Sequence, residues 1–303
     1  MVDAPGAGAA WFRAHGLGND YIVFRSGDAW TLTPRAVQRV CDRYRGVGSD
    51  GIVLELPPDP LRPGVFGLRM FNPDGSEFER SGNGLRVFGA SLATASRVGE
   101  DPFHIEVGGG RVRMQVMGRE PGGVLDISVE MGRASVEPAV VGMDPARLEP
   151  TEGAGTGDLV LAGGERVTIR GVSVGNPHCV VFTDDLSEEA LGRLGPQLTG
   201  HPAFIQGANV QLARVEGPGI LRIAIWERGV GKTSASGTSS CAVAVAAVHE
   251  GRVEPGEVEG RMEGGVLRVT VTPQLDVGLR GPVEEVARGF LTPGFLEALQ
   301  QGE

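Results

Sequence analysis

The 303-residue chain carries a formal charge of −10 with no basic block to offset it, which argues against nucleic acid as its main partner. Its 41% hydrophobic and 22% charged make-up is that of an ordinary globular protein, long enough for two separate cores. Three scattered cysteines exclude a disulfide framework, and no apolar run approaches the ~18 residues of a membrane span. With no basic-then-apolar leader at Met1, the expectation is a cytoplasmic protein without a membrane partner. The 49 glycines follow no collagen-like period and fit short strands and tight turns.

In chain order, residues 1–10 are small and read as frayed. Trp11 to Ala14 and Tyr21 to Arg25 read as strands joined by His15-Gly16-Leu17-Gly18-Asn19-Asp20. Thr33-Pro34 is an N-cap and first-turn pair, and Val37, Val40, Cys41 and Tyr44 follow at helical spacing, predicting a helix over 34–44 with Cys41 in the core. Ile52 to Leu56 reads as a strand, and Pro57-Pro58-Asp59-Pro60 opens a surface loop.

The apolar run Val65 to Phe71 then feeds the turn-forming Asn72-Pro73-Asp74-Gly75. After Ser81-Gly82-Asn83-Gly84 comes a helical pattern in Leu85, Phe88, Leu92 and Ala95. A small polar residue and glycines at a helix start leave backbone N–H groups free at the positive dipole end, an anion site with Ser81 at its mouth. Residues 102–131 alternate as a β-meander, with Gly108-Gly109-Gly110 as a hairpin turn. The pattern weakens near 132–150, where Pro138, Pro145 and Pro150 gather. This predicts one domain of residues 1–133 plus about 282–303 and another of 134–281.

The second half repeats the plan. Strands are expected near 167–173, 178–183, 208–214 and 219–226, with a helix at 187–194 ending before Gly195-Pro196. Ala235-Ser236-Gly237-Thr238 opens a second mouth, and the helix 238–249 is apolar nearly all round, as a buried central helix is. Strands at 266–272 and 276–280 and a helix begun by Thr292-Pro293 close the chain. Gly18-Asn19 precedes Ser81 much as Gly175-Asn176 precedes Ser236, an internal duplication with the ligand expected between the copies. The stretch Gly229-Val230-Gly231-Lys232-Thr233 is no phosphate-binding loop, because Trp226 stands where that pattern requires glycine. His104, His201 and His249 lack ligand spacing, so no metal is expected.

Several motifs together resemble the diaminopimelate epimerase family. They are His15-Gly16-Leu17-Gly18-Asn19-Asp20, Cys41 to Gly51, Asn72-Pro73-Asp74-Gly75-Ser76, Gly82-Asn83-Gly84-Leu85-Arg86, Gly175-Asn176-Pro177-His178, Glu227 to Gly231 and Gly237-Thr238. The resemblance runs in order from about residue 11 to 290. It implies an α+β fold of two pseudo-symmetric domains, each a barrel-like mixed sheet wrapped around a central helix, with the site in the cleft. It implies conversion of LL- to meso-diaminopimelate in lysine and peptidoglycan synthesis, with no cofactor, a small amino-acid substrate and a homodimer. Asn19, Asn72, Asn176 and Asn209 would hold the substrate's polar ends. Gly82-Asn83 and Gly237-Thr238 would supply backbone donors, and Glu227-Arg228 would bind the amino and carboxylate groups. His178 would lie by the reacting centre.

The family's acid and base are two cysteines, whereas this chain has Ser81 and Ser236 in those places. A thiol can become a thiolate near neutrality at a helix N-terminus; a serine hydroxyl needs an adjacent base. Cys241 lies along the helix, away from the mouth, and Cys179 is expected to pack in a strand. Three readings stay open: a crippled variant with both cysteines changed, a relative moving protons with Glu227, Glu79, Glu77 or His178, and a binding pseudoenzyme. Ser239 and Ser240 also depart from the family pattern, which tilts the balance toward natural divergence.

Overall fold

The computed structural model describes residues 6–62, 64–78, 81–150 and 156–301. The chain forms two compact units, Met1–Glu130 with Gly281–Glu303, and Met131–Arg280. Among the described residues no helix is long and apolar enough to cross a membrane.

In the first unit, β1 (Ala7–Gly16) and β2 (Asn19–Ser26) form a hairpin. Its tip holds Leu17 at φ 55° and Gly18 at φ 91°, the left-handed pair that a two-residue turn requires. β2 pairs in parallel with β3 (Ile52–Glu55), β3 antiparallel with β4 (Val65–Phe71), and β4 in parallel with β6 (Phe103–Val107). β7 (Gly110–Arg119) and β8 (Leu125–Arg133) complete the meander, and β5 (Glu77–Phe78) is a short flap on β4. Helix α1 (Pro34–Cys41) joins β2 to β3, and α2 (Gly82–Thr94), between β4 and β6, packs on β1, β2 and β7.

The second unit repeats this order of pairings. After the short α3 (Pro138–Val141) and β9 (Glu149–Pro150) come β10 (Thr156–Val160), β11 (Arg166–Ser173) and β12 (Pro177–Phe182), antiparallel in turn. β12 runs parallel to β13 (Asn209–Gly217), which is antiparallel to β14 (Ile220–Glu227). β14 runs parallel to β16 (Gly256–Met262), followed by β17 (Gly265–Val271) and the first part of β18 (Asp276–Phe290). α4 (Glu188–Thr199) lies between β12 and β13, and the flap β15 (Gly231–Thr233) folds onto β14. α5 (Gly237–His249) is surrounded by β11, β12, β13, β14, β16 and β17. Each unit is thus a mixed sheet wrapped on one helix.

That surrounding explains the composition of α5. Ser239 to Ala247 are all buried, and a helix enclosed on every side has no polar face to keep. Burying Val243 and Val245 fully stabilises the fold by about 1.5–3 kcal/mol each. The Ala-rich remainder lets the strands approach closely. In the first unit a separate core forms around Trp30, Phe24, Ile52 and Leu54, with Phe24 and Trp30 edge-on at 5.2 Å.

Four local expectations are corrected. β1 begins at Ala7, so residues 7–10 are strand and not frayed, because they pair with β2 and with the last strand. α1 stops at Cys41, three residues short of 44. Asp42 turns extended there, and its carboxylate accepts the N–H groups of Tyr44 and Arg45 at 2.8 Å. α4 continues through Pro196 to Thr199. Proline removes one ladder bond and crowds the carbonyl four residues back, and burial of the stripe Leu191, Leu194, Leu198 offsets that cost and carries the helix on. β18 also runs past Pro282, which falls between the stretch paired with β17 and the stretch paired with β1. The last helix, α6 (Pro293–Gln301), begins where Thr292-Pro293 predicts.

Candidate active site

At the mouth of α2, Ser81 is the N-cap in extended backbone (φ −134°, ψ 123°), and its Oγ accepts the Gly84 N–H at 3.1 Å. The helical ladder starts with Leu85 N–H donating to Ser81 O, so the Gly82 and Asn83 N–H groups have no partner within the helix. The Tyr21 hydroxyl reaches Ser81 Oγ across 3.4 Å. Asn83 is buried; its Nδ2 donates to Asn19 O at 2.6 Å and to Asn19 Oδ1 at 2.9 Å, while its Oδ1 accepts from Arg86 at 3.0 Å. Asn19 Nδ2 in turn donates to Asp50 Oδ2 at 3.0 Å.

Behind this amide chain is an ionic brace. Arg43 reaches both Asp20 and Asp50 at 2.7 Å, and Arg13 Nε donates to Asp20 at 2.7 Å. Burial alone would push the Asp20 carboxyl up, but Arg43 and Arg13 hold it below the usual carboxylate range. Asn19 therefore has little rotational freedom.

The glycine of the first turn is explained by space. A Cβ on Gly16 would lie 2.1 Å from Asn83 Oδ1 and 2.8 Å from Arg86 Nη2. Asn72 closes the turn ahead of α2: its Nδ2 donates to Ser76 Oγ at 2.9 Å and its backbone N–H to Ser76 O at 2.8 Å. Glu77 pairs with Arg69 at 2.8 Å, which holds its carboxyl below the usual range, and Glu79 lies outside the described residues.

At the mouth of α5, Ser236 is again an extended N-cap (φ −153°, ψ 127°), but its Oγ makes no cap hydrogen bond. Glu227 Oε1 accepts the Thr233 hydroxyl at 3.0 Å, and the Ser236 hydroxyl beside it also favours the charged carboxylate. Burial pushes the Glu227 carboxyl above its ordinary value, against the lowering effect of those two hydroxyls. The ladder starts with Ser240 N–H to Ser236 O, leaving Gly237 and Thr238 as backbone donors at the mouth. One turn further in, buried Ser239 Oγ accepts from Gln211 Nε2 at 3.0 Å.

Around this mouth, Asn209 locks two strand ends: Nδ2 donates to Pro177 O at 3.2 Å and Oδ1 accepts the Arg228 N–H at 3.1 Å. The Arg228 guanidinium is exposed and donates to Gln206 O at 2.5 Å. His178 has no exposed surface; its Nε2 is 3.0 Å from Asn176 Oδ1. Burial, with the nearby Arg228 charge, pushes His178 down to about 3, so it is a neutral ring that orients Asn176.

The structure thus gathers Asn19, Asn83, Ser81 and Tyr21 at one mouth, and Ser236, Glu227 and Thr233 at the other. Tyr21, Thr233, the Asp50–Arg43 brace and Gly16 were not singled out from sequence. Their signal was the position of Thr233 between two named motifs, and of Asp50 beside Gly51. All three cysteines are buried, and burial pushes the Cys41 thiol up to about 11 and Cys179 higher still. Among the described residues no three His, Cys, Asp or Glu side chains gather as a metal-holding set.

The diaminopimelate epimerase family model matches residues 12–137 and 171–284. The chain belongs to the diaminopimelate epimerase family, whose members are isomerases. It is 39% identical to the diaminopimelate epimerase of Desulforudis audaxviator over 91% of this chain and 97% of that one. It is 35% identical to diaminopimelate epimerase 2 of a Nostoc strain, over 93% and 95%. The solved structure of a predicted epimerase from Pseudomonas aeruginosa shares the fold with a TM-score of 0.65 and 22% identity, covering 93% of this chain and 99% of that one.

Proposed function

We propose that this chain inverts the α-carbon of a diaminopimelate-type amino acid without pyridoxal. The observation that carries the reading is the matched pair of extended N-cap serines, Ser81 and Ser236, each followed by backbone N–H groups free of the helical ladder. Such donors stabilise an α-carboxylate and the charge that develops on it as the α-proton leaves. Asn19 with Asn83, and Asn209 with Arg228, position the polar ends. Asn72 and Asn176 frame the turns beside them. The reading keeps the family's expected homodimer, its cytoplasmic setting and its place in lysine synthesis.

A specific observation favours a second reading, a pocket that binds without turnover. Ser81 Oγ accepts its own helix's Gly84 N–H, an ordinary capping role that leaves a neutral alcohol where a proton donor or acceptor is required. Chiral chromatography of LL-diaminopimelate incubated with the protein decides between them. Appearance of the meso form supports the isomerase. Binding by calorimetry without conversion supports the second reading, and neither binding nor conversion, in this chain or in Ser81→Cys/Ser236→Cys, refutes both.

A further inference from the structure

We infer that Tyr21 supplies and withdraws protons through Ser81 at the α2 mouth, a phenol standing behind an alcohol where the family has a thiol. The inference rests on the isomerase reading above and deepens it. Tyr21 is buried on β2, and its hydroxyl donates to Ser81 Oγ at 3.4 Å, across 60 residues of chain. A buried phenol oxygen takes a polar partner, and here a partner is the N-cap hydroxyl of the helix mouth itself. The ring is held where it stands. Ile22 N–H donates to Gly51 O at 3.1 Å beside it, and a Cβ on Gly51 would lie 2.7 Å from Tyr21 Cε1 and 3.0 Å from Cδ1. Gly51 thus leaves the room that the ring fills.

A serine hydroxyl has one proton and two lone pairs. Gly84 N–H at 3.1 Å and the Tyr21 hydroxyl take the lone pairs, so what Ser81 offers at the mouth is its proton. Serine alone cannot work in both directions, because an alcohol needs a neighbouring base before it accepts a proton from carbon. A phenol ionises in model compounds at about pH 10, roughly 1.5 units above a thiol, and can hold the charge that the alcohol cannot. The carboxylates near this mouth are engaged elsewhere. Asp50 accepts from Asn19, the Asp20 N–H and Arg43, Asp20 accepts from Arg13 and Arg43, and Glu77 accepts from Arg69. The 3.4 Å separation is long for an O–H···O bond, whose usual length is about 2.7 Å. Bonds that carry a catalytic proton tighten when substrate is held.

The step balances within these groups. In the protonating direction the electron pair of the substrate's α-carbanion takes the Ser81 proton and forms the Cα–H bond, as Ser81 Oγ takes the Tyr21 proton. The negative charge ends on the phenolate. In the abstracting direction the phenolate takes the Ser81 proton while Ser81 Oγ takes the α-proton, and the Cα–H electron pair passes into the α-carboxylate system. Tyr21 acts through Ser81, which makes it a positioning residue and leaves Ser81 as the group that meets the carbon.

The test follows conversion of LL-diaminopimelate by chiral chromatography for kcat and KM, with binding by calorimetry and folding by thermal melting. Tyr21→Phe removes one oxygen and keeps the ring. It is expected to lower kcat at least ~100-fold, the low end for a positioned proton-transfer group, with KM and affinity changed less than about threefold. In a Ser81→Cys background the same change is expected to lower kcat less than about tenfold, because a thiol at a helix N-terminus ionises near neutrality without a relay. A tyrosine that only filled space would lower kcat equally in both backgrounds, and that result overturns the inference. A kcat within about threefold of the parent in Tyr21→Phe also overturns it and leaves the isomerase reading standing. So does conversion seen only after both serines become cysteine. If Tyr21→Phe fails to fold, the rate of the unaltered chain in mixtures of light and heavy water replaces it. Two protons moving in one step bow that plot below a straight line, and a straight line overturns the inference. No conversion by the parent or by any cysteine variant refutes the isomerase reading itself.

Discussion

Replacing Gly16 by alanine tests the packing of the first mouth without touching a polar group. The new Cβ would sit 2.1 Å from Asn83 Oδ1, 2.8 Å from Arg86 Nη2 and 3.2 Å from Pro282 O, and no carbon tolerates the first two distances. Asn83 cannot step aside freely, since its amide makes bonds of 2.6, 2.9 and 3.0 Å to Asn19 and Arg86. Overpacking of this kind costs about 1–3 kcal/mol, and each hydrogen bond lost adds about 1 kcal/mol. If one or two bonds are lost, the expected destabilisation is about 3 kcal/mol. For a unit of this size that lowers the melting temperature by roughly 6–12 °C. Calorimetric melting of the parent, Gly16→Ala, Asn83→Ala and the double variant forms a cycle. Because Asn83→Ala removes the colliding atom, the Gly16→Ala increment is expected to fall by at least about 1 kcal/mol in that background. An increment below about 0.5 kcal/mol in the parent, or an equal one in both backgrounds, refutes the account of why glycine stands there.

The Asp20 brace has a pH signature. The folded carboxyl lies below its unfolded value of about 3.9, so its stabilisation is present above that pH and is lost as pH falls through the folded value. Asp20→Asn is expected to cost about 3 kcal/mol near pH 7, because it strands Arg13 and leaves Arg43 only Asp50, and the gap to the parent should close in acid melts. A gap independent of pH contradicts the brace. Native protein at pH 7.5 is expected to resist thiol alkylation, since all three cysteines are buried and Cys41 is pushed up to about 11. Rapid labelling of any one of them, with loss of exchange activity, would mean that a thiol serves the reaction after all.

Much of this was legible in the chain. Ser81-Gly82-Asn83-Gly84 declared a helix mouth because serine and glycine start helices for stated reasons, and α2 begins at Gly82. The run Cys241 to Ala247 declared an enclosed helix because nothing polar interrupts it, and it is surrounded by strands. The elements that escaped depend on distant partners. Ala7 to Ala10 carry no strand pattern and become strand only by pairing with residues near 26 and 290. Pro196 stops most helices, and whether the buried stripe Leu191, Leu194, Leu198 outweighs it is a matter of packing. At the site, the bond from Thr233 to Glu227 arises because β15 folds back onto β14, which spacing along the sequence does not give. His178 likewise sits in a motif that promises chemistry, yet its complete burial follows from the strand pairing of β12 with β11 and β13.

Conversion of LL-diaminopimelate by the unaltered chain bears most directly on the claim that a site with serine at both N-caps still inverts an α-carbon. Chiral chromatography is expected to show the meso form, with deuterium at the α-carbon when the solvent is heavy water. Binding of LL-diaminopimelate with no meso form and no deuterium uptake would contradict it.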